Sequence, residues 1–218
     1  MDKKRHRKPM ATTTRQRGRN GEQNKTRKVF YFENNKEKPI LAAGILFVKE
    51  INGKVHILVQ NVQEEDGKHR YSDFGGKIDL DDKTVVQTVS RELGEELNYG
   101  IYETHRGNNI YLDNIALKKI IQQNLLKSFY QPIAKYFVIF AKFDDNLQLD
   151  MEKIGDFEKL DKINRTVEWI PTEDFIASHF NHTLHPRLWG KQILEFMGYE
   201  GNINEPVEKP KRFAFKNA

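Results

Sequence analysis

Residues 85–97 constrain the fold of this chain more than any other segment, because they combine a regular apolar repeat with a cluster of acidic residues. Four apolar residues recur at every fourth position, as they do on a helix face that packs against a core: Val85, Val89, Leu93 and Leu97. Acidic residues fall between them at positions 92, 95 and 96. The stretch therefore predicts an amphipathic helix with one buried face and one acidic face.

The acidic face brings three carboxylates together. In a helix, Glu92, Glu95 and Glu96 stand at positions i, i+3 and i+4 and share one side. Such close carboxylates repel one another unless a positive group lies among them. A hard divalent cation such as Mg2+ suits them, because it takes carboxylate oxygens and keeps part of its water shell. The alternative is an ordinary solvated helix, since runs of charge usually face water.

Two glycines precede this helix. Gly75 and Gly76 follow Phe74 at the end of the run 71–74, which predicts a strand that enters a tight loop. Glycine allows a backbone to approach a ligand closely or to adopt a positive φ. Such a loop could bring a main-chain carbonyl beside the carboxylates.

The stretch from 75 to 99 resembles the Nudix box, whose pattern is Gly, five residues, Glu, seven residues, then Arg-Glu-apolar-x-Glu-Glu-x-Gly-apolar. Six residues fit that pattern: Gly76, Arg91, Glu92, Leu93, Glu95 and Glu96. Asp82 stands where the family has Glu, the gap from Asp82 to Arg91 is one residue longer, and Asn98 replaces the last Gly. Asn tolerates the left-handed backbone that a helix-terminating Gly supplies. We interpret the box as active.

The resemblance implies a fold, a cofactor and a chemistry. The fold is α/β, with a mixed β-sheet sandwiched between α-helices in an α/β/α arrangement. The chemistry is hydrolysis of a nucleoside diphosphate linked to another group, with Mg2+ or Mn2+ neutralising the phosphate oxygens and activating water. Glu92 or Glu96 would act as the general base. Four residues would bind the metal: Gly76 through its carbonyl, and Glu92, Glu95 and Glu96.

Supporting roles fall to residues around the box. Arg91 would brace the loop before the helix through an acidic partner, with Asp79, Asp81 and Asp82 as the candidates. Tyr71 and Lys77, on either side of the glycine pair, are candidates for contact with the substrate. The family often supplies a fourth carboxylate from a later loop, here Glu158 or Asp161, although exposed acidic residues are solvated by default.

A histidine triplet also invites a metal interpretation, because His179, His182 and His185 are spaced three apart. Without cysteine, and just before Pro186, they are more simply explained as loop and cap residues.

Charge is distributed unevenly along the chain. The net charge is +5, yet residues 1–28 carry 11 Lys or Arg against two acidic residues, so the remainder is mildly acidic. This first segment has almost no apolar side chains, and we expect it to be a disordered arm. Its clustered cations could bind the phosphates of RNA. The alternative is a solubilising tail. The candidate RNA-binding residues are Lys3, Lys4, Arg5, Arg7, Lys8, Arg15, Arg17 and Arg19.

The composition excludes several classes of site. The chain has no cysteine, which rules out disulfides, thiolate zinc sites and cysteine nucleophiles. No apolar run reaches the roughly 20 residues that a membrane span requires, and the start lacks an apolar signal core. We therefore expect an intracellular protein, cytoplasmic or nuclear, that is not secreted. The expected segments are a basic arm at 1–28, a Nudix domain at 29–201 and a loose tail at 202–218.

Within the domain, apolar runs predict strands at 40–48, 55–59 and 135–143, and Asn52-Gly53 predicts a tight hairpin between the first two. We expect an irregular segment at 101–113, an extra helix at 115–129 and a loop at 144–162. After the strand that begins at 166, Thr172 is the expected N-cap of a short helix. The last helix would open at Pro186 and turn Trp189 towards the core.

Three functions follow from these features. The first is cleavage of RNA 5′ ends, including the mRNA cap, because capped RNA joins a phosphoanhydride to a long polyanion. The second is hydrolysis of a small nucleotide such as ADP-ribose, a dinucleoside polyphosphate or an oxidised nucleotide. The third is a Nudix-fold protein that binds RNA without catalysis, which the altered spacing at Asp82 keeps open and the intact carboxylates oppose.

Overall fold

The computed structural model describes residues 29–33, 36–63, 67–158 and 163–201, so the predicted basic arm and C-terminal tail lie outside it. The helices are α1 (Val85–Glu96), α2 (Asn114–Gln123), α3 (Met151–Ile154), α4 (Thr172–Phe180) and α5 (Lys191–Phe196), with a 3-10 helix at Pro186–Leu188. The strands are β1 (Val29–Glu33), β2 (Lys36–Ile40), β3 (Ala42–Ile51), β4 (Lys54–Gln63), β5 (His69–Ser72), β6 (Phe74–Lys77), β7 (Ile101–His105), β8 (Asn108–Tyr111), β9 (Leu125–Gln131), β10 (Tyr136–Lys142), β11 (Leu147–Leu149), β12 (Phe157–Glu158) and β13 (Ile163–Pro171).

A mixed sheet forms the centre of the described chain. Its main path runs β12-β13-β4-β3-β10-β9, while β5 pairs with β4 and β6 pairs with β3. The pairing between β3 and β10 is parallel, whereas β3 pairs antiparallel with β4 and β6. Two smaller sheets, β1-β2 and β11-β7-β8, complete the strands of this part of the chain.

Strand β3 shows how the central sheet is covered on both sides. Successive side chains of a strand point to opposite faces, so a strand buried on both faces is apolar throughout. Ala43, Ile45 and Phe47 face one core cluster, which includes α1 and α2 residues. Leu46 and Val48 face a second cluster, which includes residues of α4 and α5. The predicted mixed sheet between helices is therefore confirmed.

The hairpin between β3 and β4 forms at the predicted turn. Asn52 and Gly53 both adopt positive φ values, 53° and 72°, as a tight two-residue hairpin requires. The same geometry recurs at Arg106 and Gly107, with φ values of 50° and 81°, and joins β7 to β8. The prediction of an irregular 101–113 segment was therefore wrong, because a turn without the Asn-Gly signature closes a second hairpin there.

The predicted extra helix is present but shorter than expected. Asp113 caps α2 by accepting hydrogen bonds from the amides of Ile115 and Ala116, and the helix ends at Gln123. Residues 125–131 instead form β9, which pairs antiparallel with β10. The apolar residues of 115–129 do not share one buried face, because Phe129 packs in the second core cluster, whereas Ile121 packs in the first.

Three later predictions also required correction. The segment 144–162 contains β11, α3 and β12 as well as loops. Thr172 is the first residue of α4 and not its N-cap; its hydroxyl lies 3.3 Å from the Val55 carbonyl. The last predicted helix is split at Gly190 into the 3-10 helix and α5, and Trp189 is 36% exposed between them. None of the helices among the described residues is long and apolar enough to cross a membrane.

Candidate functional site

Helix α1 carries the predicted carboxylates and has well-defined ends. It begins after Thr84, whose hydroxyl accepts a hydrogen bond from the Gln87 amide at 3.2 Å. After Glu96 the chain reverses through Asn98, which adopts a φ of 49° at the position where the Nudix pattern has Gly. Val89, Leu93 and Leu97 are fully buried, so the apolar face packs as predicted.

Arg91 joins the loop before the helix to the helix itself. Its Nη2 atom lies 3.0 Å from Asp82 Oδ2 and donates to the Lys77 carbonyl at 3.0 Å. Asp79 is more distant, at 3.7 Å, and its amide donates to Asp82. Asp82 is therefore the hydrogen-bonded partner of Arg91, and it is buried. Burial alone would lower the pKa of Arg91, but the hydrogen bond to Asp82 and the nearby carboxylates raise it above its ordinary value.

The same guanidinium also contacts two of the three helix carboxylates. Arg91 Nη1 lies 2.8 Å from Glu92 Oε1 and 3.1 Å from Glu95 Oε2. A positive group among these carboxylates was expected from their mutual repulsion, and in this structure the protein itself supplies one. Both side chains stay partly accessible, with exposed fractions of 16% for Glu92 and 29% for Glu95.

The predicted tight loop at the two glycines was wrong, because Gly75 and Gly76 lie within β6 and pair with β3. Residues 75–84, which run from this glycine pair to α1, are called the glycine loop below. Gly76 lies directly against Glu92. A Cβ atom at Gly76 would stand 2.5 Å from the Glu92 carboxylate, closer than real Cβ contacts occur. Burial raises the pKa of Glu92, Arg91 opposes this shift, and Glu95 adds to it. A side chain at position 76 would force either the Glu92 carboxylate or the loop to move.

Glu96 points into the protein beneath the same loop. Its Oε2 accepts a hydrogen bond from the Gly75 amide at 2.7 Å, and its Oε1 lies 3.2 Å from Gln60 Nε2. Burial raises the pKa of Glu96 to about 8, although Arg187 and Gln60 lower it and Asp73 raises it further. A carboxyl group with a pKa near neutral is suited to accept and return a proton.

The donors fit a hard divalent cation in their chemistry. Glu92, Glu95, Glu96 and the Gly76 carbonyl offer oxygen atoms alone, which is the set that Mg2+ prefers. Burial disfavours the ionised forms of Glu92 and Glu96 and raises their pKa. A nearby cation would act in the opposite direction and favour the ionised forms. As they stand, no three acidic or imidazole side chains in the described ranges are grouped closely enough to hold a metal ion. Glu92 and Glu95 are instead bridged by Arg91 in this structure.

A set of buried polar residues lies behind the glycine loop, and the sequence did not predict it. Asp73 is fully buried, and its carboxylate accepts hydrogen bonds from Arg187 Nε at 2.6 Å and from the Tyr136 hydroxyl at 2.9 Å. Gln60 Nε2 donates to the Asp73 carbonyl at 2.8 Å. Asp73 directly precedes Phe74 and the two glycines, which is the one sequence signal that could have singled it out.

Arg165 is a second residue that the sequence did not suggest. It lies on β13, it is buried, and its guanidinium donates to the backbone carbonyl of Glu96. This contact fixes the end of α1 against the central sheet. An arginine within a strand carries no local pattern that would identify such a role.

The structure does not bring every predicted residue to the carboxylates. Tyr71 packs against the second core cluster, whereas α1 packs against the first, so the two lie on different sides of the sheet. Lys77 is exposed at the end of β6, where its carbonyl accepts from Arg91. Glu158 belongs to β12 with its side chain outside the description, and Asp161 and the basic arm also lie outside the described residues.

The three histidines do not converge on a metal site among the described residues. His185 Nδ1 accepts a hydrogen bond from the Arg187 amide at 3.2 Å and so caps the 3-10 helix. The rings of His179 and His182 contact Trp189, with centroid separations of 5.8 and 5.3 Å. His185 is therefore a cap residue and His182 a loop residue, as predicted, whereas His179 lies in the last turn of α4.

No protein-family model matches this sequence, and the search of curated proteins also gave no match. Solved structures with a similar shape include an Ap4A hydrolase binary complex from C. elegans (15% identity, 72% of this chain and 92% of that chain, TM-score 0.37) and a NUDIX hydrolase from Nitrosomonas europaea (16%, 72% and 87%, TM-score 0.39). A third is a bifunctional NMN adenylyltransferase/ADP ribose pyrophosphatase from Francisella tularensis, complexed with AMP and a manganese ion (21%, 72% and 37%, TM-score 0.35). These scores are too low to transfer the activity of any neighbour to this chain.

Proposed function

We propose that this chain is a Mg2+- or Mn2+-dependent Nudix hydrolase that cleaves a pyrophosphate bond in a nucleoside diphosphate-linked substrate. The proposal rests on one observation, which is that Glu92 and Glu96 both lie against the two glycines. Gly76 lies against the Glu92 carboxylate, and the Gly75 amide binds Glu96. These contacts hold the glycine pair against the acidic helix and support the proposal.

The roles of the side chains follow from their surroundings. A divalent ion, when bound, would neutralise phosphate oxygens and lower the pKa of a water molecule. Glu92, Glu95, Glu96 and the Gly76 carbonyl would hold it. Glu96 is also our candidate general base, because its carboxylate lies beneath the glycine pair with both oxygens held by hydrogen bonds. Glu92 is the second candidate, since its side chain remains 16% exposed and lies against Gly76.

The contact between Arg91 and Asp82 holds the loop before α1 against the helix. Their hydrogen bond of 3.0 Å is buried on the Asp82 side, so solvent screens it less than a surface pair. Asp82 stands where the family has Glu. Its side chain is shorter, and the segment from it to Arg91 is one residue longer. The contact to Arg91 is still made, which supports the interpretation of an active box.

For the substrate, we propose the 5′ end of RNA, including the mRNA cap. The support is the cationic composition of residues 1–28, because clustered Lys and Arg bind polyanions without requiring a particular fold. Hydrolysis of free nucleotides and RNA binding without catalysis are the alternatives that the following experiment separates.

The test uses the full chain with Mg2+ or Mn2+, a cap-labelled RNA, ADP-ribose and a dinucleoside polyphosphate. We expect release of the cap nucleoside diphosphate, and a loss of about 100- to 10,000-fold in kcat for Glu96→Gln, which removes a proton-transferring group. Glu195→Gln is the matched control, because Glu195 is 51% exposed on α5 and pairs only with Lys191 among its described contacts.

Each alternative gives a different result. Turnover confined to the free nucleotides would contradict the RNA assignment and leave the hydrolase assignment in place. RNA binding without turnover of any of the three substrates would contradict the enzyme assignment itself.

A further inference from the structure

A buried ion pair lies immediately behind the glycine loop. Asp73, between β5 and β6, has an exposed fraction of 0%, and Arg187 from the 3-10 helix binds its Oδ1 at 2.6 Å. Tyr136 from β10 donates to Oδ2 at 2.9 Å. A buried carboxylate without such partners would cost several kcal/mol, so these contacts are required once Asp73 is inside.

Two routes connect this ion pair to the Glu96 carboxylate. Along the first, Gln60 Nε2 donates to the Asp73 carbonyl at 2.8 Å and lies 3.2 Å from Glu96 Oε1. Along the second, the Gly75 amide, two residues after Asp73, binds Glu96 Oε2 at 2.7 Å. Arg187 Nη2 holds the same Asp73 carbonyl at 3.0 Å. Both oxygens of Glu96 are therefore held by groups whose positions depend on Asp73 and Arg187.

The packing around the ion pair is tight. A Cβ atom at Gly44 would stand 2.2 Å from both Asp73 Oδ2 and the Tyr136 hydroxyl. A Cβ atom at Gly75 would stand 2.4 Å from the same hydroxyl. Because the glycine backbones fit directly over the Asp73–Tyr136 contact, a shift of Asp73 would be passed to the loop that faces Glu92 and Glu96.

Stability alone does not explain a charged pair at this place. Well-packed apolar residues of similar volume stabilise a fold as well as a buried ion pair does. Hydrogen bonds from Arg187 to Asp73 Oδ1, to the Asp73 carbonyl and to Ser72 Oγ instead fix the main chain just before the glycines. We propose that Asp73 and Arg187 are positioning residues that orient Glu96 and the glycine loop for binding a divalent cation and for hydrolysis.

This inference rests on the proposed function, so its test includes a measurement that does not depend on turnover. Mn2+ binding to the metal-stripped full chain is followed by electron paramagnetic resonance, alongside kcat, KM and thermal unfolding. The variants are Arg187→Met, which removes the charge and the fork of donors, and Arg187→Lys, which keeps only the charge. Tyr136→Phe removes one hydroxyl and leaves the ion pair in place.

We expect Arg187→Met to weaken Mn2+ binding and to lower kcat by about 10- to 100-fold each, the usual effect of removing a group that orients metal ligands. KM at saturating metal should change by less than about twofold, because the Asp73 side chain is fully buried and only 19% of the Arg187 side chain is exposed. Arg187→Lys and Tyr136→Phe should show part of that effect. Lys191→Met is the control, since it removes a 64% exposed cation three residues from the end of the 3-10 helix and should leave all values unchanged.

Arg187→Met leaves Asp73 buried without its cation and can unfold the chain, so the milder variants decide. If folded Arg187→Lys and Tyr136→Phe bind Mn2+ and turn over as the wild type does, the positioning role is overturned. A wild-type chain that binds no Mn2+ would overturn it as well. A wild type that binds Mn2+ but hydrolyses no substrate, with weakened binding in the variants, would support positioning and overturn only the proposed function.

Discussion

At the scale of single residues, two side chains define the candidate site in different ways. Arg91 lies near the surface of the site and contacts Asp82, Glu92 and Glu95 at once. Glu96 lies deeper and is bound by a backbone amide and an uncharged side chain. The three acidic residues of α1 are therefore not equivalent, although the sequence presents them as one cluster. Their different surroundings are what allow different chemical roles.

Gly76 is the residue whose replacement tests the closeness of the loop and helix. Gly76→Ala places a methyl group 2.5 Å from the Glu92 carboxylate, so either the loop or that carboxylate must move. We expect kcat to fall by about 10- to 100-fold, since misplacement of catalytic groups by about 1 Å has effects of this size. Gly190→Ala is the control: its new methyl would meet only the flexible end of Gln131. Equal activity of the two variants would contradict the prediction.

Glu96 should give the folding stability a specific pH dependence. Its pKa is about 8 in the folded chain, against 4.5 for an ordinary Glu, because burial disfavours its charge. Between these values the folded chain keeps a proton that the unfolded chain has released, so the free energy of unfolding falls as the pH rises from about 4.5 to about 8.

Glu96→Gln removes this dependence. In metal-free buffer, we expect the stability of the variant relative to the wild type to rise by about 2–4 kcal/mol between pH 4.5 and pH 8. Urea unfolding at four or five pH values measures the difference, and Glu195→Gln provides the exposed comparison. A difference that stays constant across this range would show that Glu96 ionises normally in the folded chain.

At the scale of elements, the strength of the local signal decided which predictions succeeded. Helix α1 combines an apolar stripe and a left-handed Asn98, both of which agree with the sequence prediction. Its capping Thr84 was found only in the structure. The sequence also predicted the Asn52-Gly53 hairpin correctly. It did not predict the strand at residues 125–131, because Phe129 is apolar at a spacing that suits a helix as well as a strand. Pairing with β10 decides between them, and no local pattern encodes that pairing.

The N-cap of α1 can be tested separately from the chemistry. Thr84→Ala removes the hydroxyl that accepts from the Gln87 amide, so we expect a loss of about 1 kcal/mol in the free energy of unfolding. Thr84→Ser keeps a capping hydroxyl and should restore most of the loss. Chemical denaturation gives both values. Since the cap lies about two turns from Glu92, kcat of the folded variants should equal that of the wild type, and a large fall in kcat would contradict this separation.

At the scale of the whole molecule, the site depends on residues that are far apart in the sequence. The box helix and the glycine loop come from one segment, so a sequence pattern could identify them. Gln60, Tyr136 and Arg187 come from β4, β10 and the 3-10 helix, and they meet at Asp73 only through the sheet topology. A pattern read along the chain cannot show such a meeting point, which explains why this half of the site was missed.

The basic arm should act on RNA binding and not on the chemistry. Deleting residues 1–28 removes 11 cations, so we expect weaker RNA binding and a shallower salt dependence, by about 0.7 in log–log slope for each phosphate that the arm no longer neutralises. The kcat on a small nucleotide substrate should remain unchanged. Binding titrations between about 50 and 200 mM salt, a range over which such effects are large, make the measurement. An unchanged slope would mean that the arm is a solubilising tail.

The position of Arg187, far downstream of the glycine loop, has a consequence for biosynthesis. A nascent polypeptide that has left the ribosome up to β10 already contains Asp73, Tyr136 and Glu96, but the cation that Asp73 requires has not yet been made. Asp73 then lacks the buried counter-charge that Arg187 supplies in the folded chain. Elements translated after β10 therefore complete the candidate site.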